Sequence, residues 1–423
     1  MNNEQLTKQP EPTQKLWNFN FTMIWFGQLV SVLGDFIYGI ALGFWILQKT
    51  GSTALMGTLM ATSTLPRIIL SPFAGVIVDR INRKLILVLT DAVRGIFIIA
   101  IAVAAFSNLL QVWMVFVAGI IISIGSAFFI PAGGSAIPDI VPAEKLIKAN
   151  SAFSIVQTGS GIIGNAAGGF LFQMLGAPLM FLVNGISYIV GAIATFVVKI
   201  PKVIHKHESF HFFSDLKTGL RFVWQYRGIR NLMIVASALN FFAVMAIMLF
   251  LPLFQKTPKL GAGLYGIFMS CVMGGLFVGF LLTSIIHFPY HRRFFFFLLC
   301  GIISMAAAIF IPVWLFFPLM VVLGFIVGMA NSILNSFIQA TLGISTPQDM
   351  RGKVFSLIGT VAGGLMPIAF ALGGILAEFI SIRILISSAF FITLLVHSSM
   401  IFSKPIKRLI NYNPESDTIE NFR

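Results

Sequence analysis

Charge is the first thing this chain has little of. Only 10% of its 423 residues are Asp, Glu, Lys or Arg, against about 25% in an ordinary soluble domain. Too few charged side chains remain to clothe a water-facing surface, which excludes a soluble globular protein. Cysteine is nearly missing too. Cys271 and Cys300 both sit inside apolar runs, which excludes a disulfide framework. No Gly-x-x-x-x-Gly-Lys-[Ser/Thr] loop occurs, so ATP is not expected as the direct energy source. His-Glu-x-x-His is absent as well, and no nucleophile constellation stands out, so the chain does not read as an enzyme. The polar opening MNNEQLTKQPEPTQK runs straight into a full-length apolar span, so no cleaved signal peptide is expected.

What is present is apolar length. Hydrophobic residues make up 57% of the chain, with 44 Phe and 38 Gly, and mean hydropathy is +0.94. Bulky apolar faces suit lipid, and small residues suit helix–helix contacts. Hydropathy predicts an all-α membrane protein with twelve transmembrane helices. The first six spans are near 17–47, 54–78, 85–106, 111–135, 151–173 and 178–198. The second six are near 232–254, 264–287, 294–312, 315–339, 354–379 and 382–402. The formal net charge of +14 would in a soluble chain point to nucleic acid. Here the bases sit in short loops and read as orientation signals, so no nucleic-acid partner is expected. With both termini inside, all but six of the 28 Lys and Arg fall on the inner side. Lys49, Lys256, Lys259 and Arg383 fall outside, and Arg67 and Arg94 lie within spans.

This places a tail at 1–16, one bundle at 17–198, a linker at 199–231, a second bundle at 232–403 and a second tail at 404–423. In the linker, Phe213, Leu216, Leu220 and Val223 recur at helical spacing, with Lys217, Arg221 and Arg227 elsewhere around the helix. The pattern predicts an amphipathic helix on the inner membrane face. His205, His207 and His211 form His-x-His-x-x-x-His in the same linker, without Cys or acids to complete a metal site. No metal is expected.

The halves repeat. A shift of 209 residues lays Gly57 on Gly266 and sets the Arg83-Lys84 pair over Arg292-Arg293. A shift of 205 lays GGFL (Gly168–Leu171) on GGIL (Gly373–Leu376). Between the second and third spans stands GVIVDRINRK, residues Gly75 to Lys84. It resembles the signature loop of the major facilitator superfamily, matching at Gly75, Asp79, Arg80, Arg83 and Lys84, with Asn82 in place of a frequent glycine. The resemblance implies two pseudo-symmetric six-helix bundles with a substrate cavity between them. It also implies that Asp79 engages the start of the eleventh span, near Arg351 to Leu357, as a latch that forms in one access state and breaks in the other. A carboxylate is favoured at a helix N-terminus, whereas topology alone needs no acid. Gly75 is expected to allow close helix approach. Phe288 stands where a second-half acid would be, so one such latch is expected.

WNFNFTMIWFGQLVS, KTGS, IPDIVPAEKLIKANS (Ile137–Ser151) and GKVFSLIGTVAGGLMP resemble one branch of that superfamily, the macrolide-efflux and siderophore exporters, over nearly the full length. The branch implies proton-driven export of amphipathic molecules, with no cofactor, from a bacterial cytoplasmic membrane. The protein is expected to be a multi-pass monomer with both termini cytosolic. A siderophore or other endogenous metabolite is the alternative cargo. A non-transporting scaffold or sensor is a second alternative, which an intact loop and a midplane acid disfavour.

That acid is Asp35, near the middle of the first span, where a charge is costly and functional by default. It reads as a proton carrier or as a structural acid paired with Arg67. Asp91 and Arg94, at i and i+3 in the third span, form a charge network with each other or with the 79–84 loop. Gly161, Gly164, Gly168 and Gly169 mark a packing face in the fifth span, and Pro367 a kink in the eleventh. Glu378 reads as an exposed interfacial acid. Candidates for the substrate cavity are Gln28, Tyr38, Trp45, Gln157, Asn184, Asn240, Asn331 and Asn335.

Overall fold

A computed structural model of the chain describes residues 15–200, 212–415 and 417. His205, His207 and His211 lie outside the described residues, as do the side chains of Phe213 and Leu216. The first half comprises α1 (Phe19–Thr50), α2 (Thr53–Arg80), α3 (Arg83–Phe106), α4 (Val112–Ile140) and α5 (Leu146–Val197). A linker helix, α6 (Phe212–Gln225), follows. The second half comprises α7 (Arg227–Met248), α8 (Phe250–Lys256), α9 (Ala262–Ile285), α10 (Arg293–Phe310) and α11 (Phe317–Ser345). It closes with α12 (Gln348–Gly364), α13 (Met366–Phe379), α14 (Ile382–Ser398) and α15 (Lys404–Ile410). No strand occurs among the described residues.

Short polar side chains start the helices. Asn18 Oδ1 accepts from the Phe21 N–H at 2.9 Å, Ser52 Oγ from Leu55 at 3.1 Å, and Asn82 Oδ1 from Lys84 at 3.0 Å. Each satisfies a backbone donor that the first helical turn leaves unpaired. Asn82 thus has its own task at the start of α3, where the family often carries glycine. α5 holds two helical limbs broken at Gly176, whose φ of 72° and ψ of 177° only glycine adopts without strain. Around Leu365, α12 gives way to α13, with Pro367 in the first turn of the new helix.

Ten helical stretches among the described residues are long and apolar enough to cross a membrane. Twelve is reached when both limbs of α5 are counted and α2 is added. At 28 residues α2 has the length of a span, and its two prolines and many polar residues lower its hydropathy. Large apolar side chains remain exposed along the outer faces, Phe196 at 66% and Ile193 at 60%, as expected where the solvent is hydrocarbon.

Within the first half α5 packs on α1 and α3, and α2 on α4. In the second, α9 packs on α11, and α10 and α7 on α14. The halves meet along α5 with α9 and α2 with α13. Both crossings lie at the end that holds the α1–α2 turn at Gly51 and the α13–α14 turn at Ile380, here termed the far end. The basic end, with Arg80, Arg83, Lys84, Arg292 and Arg293, is opposite. A Cβ on Gly57 would lie 2.3 Å from the Phe370 carbonyl oxygen and 2.9 Å from Gly374 Cα. A Cβ on Gly266 would lie 2.3 Å from the Asn165 carbonyl oxygen and 3.0 Å from Gly169 Cα. These four glycines are the residues that the internal repeat pairs, Gly57 with Gly266 and Gly169 with Gly374. One backbone-to-backbone contact is therefore built twice, on either side of a pseudo-twofold axis.

Two boundaries differ from the sequence reading, and the linker helix has a protein contact. α7 begins at Arg227, so the span starts before Leu232. Beyond residue 403 the chain forms α15, whose Ile406, Leu409 and Ile410 are buried in the second half's core. The linker helix docks on protein: Val223 is fully buried in a cluster with Val354 and Leu357, and a Cβ on Gly219 would touch the Lys353 backbone. Leu220 and Trp224 stay exposed.

Candidate functional site

Asp35, midway along α1, opens into a cavity of about 310 Å3 inside the first half, with Ser31, Arg67, Asp91, Arg94 and Tyr188 among its walls. The Tyr188 hydroxyl, on the second limb of α5, donates to Asp35 Oδ1. Behind that pair lies Arg94. Its Nη2 donates to Asp91 Oδ1 at 2.5 Å, and its Nε donates to the Thr90 carbonyl at 3.2 Å. Its guanidinium stands 4.6 Å from the ring centres of both Phe129 and Tyr188. Asp91 and Arg94 are almost wholly buried. Such a pair must recover the hydration both ions lose, and here the geometry supplies a short charge-assisted bond, a backbone acceptor and two ring faces. Gly125 on α4 makes the room, since a Cβ there would come within 3.0 Å of Arg94 Cδ.

A second cavity of about 250 Å3 shares Gln28, Asp91, Phe129, Ile130 and Gln157 with the first. It continues past Leu87, Ile137 and Thr195, toward the basic end. A third, about 470 Å3, lies between the halves, bounded by Arg67, Ser71 and Pro72 of α2 and by Ser356, Gly359, Thr360 and Gly363 of α12. Arg67 lines both the first and the third. Its N–H donates to Ser123 Oγ at 3.0 Å, and its carbonyl accepts from Ser71 Oγ at 2.6 Å. The Asp35–Arg67 pair open to the sequence reading is not among the ion pairs of the described residues: Asp35 accepts from Tyr188, and Arg67 borders both the Asp35 cavity and the space between the halves.

The far end carries a contact the sequence reading missed. Glu378, the penultimate residue of α13, caps α2 of the other half. Its Oε1 accepts from Ser52 Oγ at 2.7 Å, Thr53 Oγ1 at 3.0 Å and the Ala54 N–H at 2.9 Å. A carboxylate on the first turn of a helix meets both unpaired N–H groups and the positive end of the dipole.

A sequence profile of the Major Facilitator Superfamily matches residues 24–371. The chain belongs to that superfamily. It is a multi-pass membrane transporter, not an enzyme. Macrolide efflux protein A of Streptococcus pyogenes is 27% identical over 373 residues, 87% of this chain and 91% of that one. A Bacillus amyloliquefaciens protein provisionally named as a bacilysin exporter is 25% identical over 414 residues, 95% of this chain and 98% of that one. Among solved structures, a bacterial homologue of the iron transporter ferroportin in an inward-facing state shares the fold. Its TM-score is 0.67 at 17% identity, over 91% of this chain and 99% of that one.

In the major facilitator signature loop, Arg83 reaches the end of α4, where it pairs with Asp139 and donates to the Ser135 carbonyl at 3.0 Å. Lys84 lies 5.2 Å from the Phe196 ring centre. Arg80 is exposed. Open space surrounds the Cβ position of Gly75, so close approach is not what glycine provides there in this conformation. The side chain of Asp79 lies outside the described residues.

Of the cavity candidates, Gln28 and Gln157 line the first two cavities. Asn240 instead donates to the Ala362 carbonyl at 2.9 Å, tying α7 to α12. Asn184 is fully buried and accepts from Ser187 Oγ. Tyr38 is buried against Phe181, and Trp45 packs on the main core. Asn331 and Asn335 are exposed on α11 and bonded to one another. Gly161, Gly164 and Gly168 seat Phe36, Leu33 and Ile40 of α1, while Gly169 takes the contact with α9.

Proposed function

We propose that this transporter exports amphipathic small molecules by alternating access, driven by the proton gradient across a bacterial cytoplasmic membrane. The basic end is then cytosolic, with both termini on that side. The observation that carries the reading is an acid in mid-helix, Asp35, facing a cavity that continues toward the basic end and backed by a buried Tyr188–Arg94–Asp91 cluster. Inside a membrane, ionisable residues gathered on a cavity mark a transport or proton path.

In this conformation the far end is shut by the glycine crossings and Glu378. Asp35 takes up or releases its proton, and Arg67 and the walls of α2 and α12 meet the cargo. Substrate and proton drive the cycle by favouring opposite access states. Asp79, at the end of α2, forms the cytosolic latch on α12 when the basic end closes. Glu378, at the end of α13, forms the far-end latch on α2 when it opens. Each carboxylate ends one helix and caps the N-terminus of another across the interface, so the two latches alternate. The transporter needs no cofactor and works as a monomer.

The test is macrolide accumulation in efflux-deficient bacteria expressing the protein, with and without a proton uncoupler. Lower accumulation that the uncoupler abolishes is the expected result. Unchanged accumulation, with the protein shown in the membrane, removes macrolides as cargo. A secreted metabolite is the second reading, favoured by the similarity to the Bacillus protein over nearly the full length, and siderophores would be tried first.

A further inference from the structure

The polar cluster of the first half leaves one cation without a direct partner among the described residues. Arg94 is matched to Asp91, boxed between two rings and bonded to a backbone carbonyl. Asp35 is held by the Tyr188 hydroxyl. Arg67 is different. Its backbone is clamped on both sides, by Ser123 and Ser71, yet its half-buried guanidinium engages no hydrogen bond, ion pair or ring among the described residues. A helix held that firmly fixes where the side chain starts. The cavity decides where it ends: at the junction of the Asp35 pocket with the 470 Å3 space between the halves. Across that space, among the described residues, α12 offers Ser356, Thr360, Gly359 and Gly363, hydroxyls and bare backbone without an acid. Thr360 already spends its hydroxyl proton on the Ser356 carbonyl.

A guanidinium at membrane depth is costly unless paired or hydrated, and its planar fork of donors matches a carboxylate or a phosphate bidentately, of which the singly charged carboxylate is the less costly to bring out of water. We infer that Arg67 is the recognition site for an acidic group on the transported molecule, so that the preferred cargo is an amphiphile bearing a carboxylate. Its apolar body lies in the space between α2 and α12, and its acid lies on Arg67, beside the Asp35 pocket. The inference rests on the transporter reading above and sets acidic amphiphiles ahead of macrolides, which carry an amine and no carboxylate, as the preferred cargo. Binding at that junction also explains how cargo on Arg67 reaches the proton site: the two cavities share this one charged wall.

Three dansyl probes on one shared alkyl chain test it, ending in a carboxylate, a primary amide or a trimethylammonium group. Their affinities are measured by fluorescence titration of the purified full-length protein. Their uptake is followed in inside-out vesicles energised by a proton gradient. The carboxylate probe is expected to bind wild type about tenfold or more tighter than the amide, the scale of one charge-assisted interaction. Arg67→Gln should bring that ratio to about one, and Arg67→Lys should keep part of it. A ratio near one in wild type, or one undiminished in Arg67→Gln, overturns the inference. The wild-type ratio serves even where a variant fails to fold. If the amide or ammonium probe is taken up while the carboxylate is not favoured, only the inference falls. If vesicles containing the protein take up none of the three, the export reading falls with it.

Discussion

Tyr188 serves two neighbours at once: its hydroxyl donates to Asp35, and its ring lies against the Arg94 guanidinium. Tyr188→Phe removes the first and keeps the second. A hydrogen bond to a charged group is worth about 1.5–3 kcal/mol. Proton-driven export in inside-out vesicles should therefore fall about tenfold or more, with the thermal unfolding midpoint little changed. Export at the wild-type rate would remove Tyr188 from the coupling path. Arg94 behaves differently, because deleting it strands a buried carboxylate. Arg94→Met should cost about 3–5 kcal/mol of stability, and adding Asp91→Leu should restore most of it. Thermal unfolding in detergent reads both, and a double variant no more stable than the single one would contradict the account. At this scale the sequence was half legible. Asp91 and Arg94 stand one turn apart on one helix, so spacing alone brings them together. Tyr188 is 153 positions from Asp35, an ordinary aromatic in an apolar run, and nothing local marks it.

A carboxylate at the end of one helix and the unpaired N–H groups of another make a joint between elements that costs little to break and re-form. Glu378 on the first turn of α2 is such a joint. Glu378→Gln keeps the shape and loses the charge, so the far end should spend more of its time open, with a shift of about twofold to fivefold in the closed-to-open ratio. Spin labels at Thr50→Cys and Ile380→Cys, in a Cys271→Ser, Cys300→Ser background, report the distance across that end. An unchanged distance distribution would show that the joint carries no weight in the equilibrium. Sequence alone makes Glu378 an interfacial acid at a helix end, because its partner helix belongs to the other half. For the same reason α6 reads as a membrane-surface helix: an apolar stripe is equally suited to lipid or to protein. Val223 is buried on protein beside Val354 and Leu357, while Leu220 and Trp224 stay exposed.

For the whole molecule, the repeated glycine crossing is a hard stop met only when the far end closes. A leucine at Gly57 or at Gly266 has no room, because what its Cβ would strike is backbone at 2.3 Å. Either substitution should hold the far end open and abolish export. The two should act alike, since the halves move against each other as units. The same pair of labels measures this, and a far end that still closes in Gly57→Leu would refute it. Composition and hydropathy by themselves determined the solvent, the helical class and the bias of bases toward one end. Those properties follow from summed transfer energies that need no partner. The signature loop, a contiguous pattern, pointed to the family, and the repeat, legible as matches at a nearly fixed shift, pointed to its two halves. Only the tertiary structure decided which polar groups meet across helices, which cavities Arg67 borders and which end is shut. Those outcomes depend on distances between residues far apart in the chain, and a hydrogen bond or a backbone contact exists only once packing has set the distance to within a fraction of an ångström.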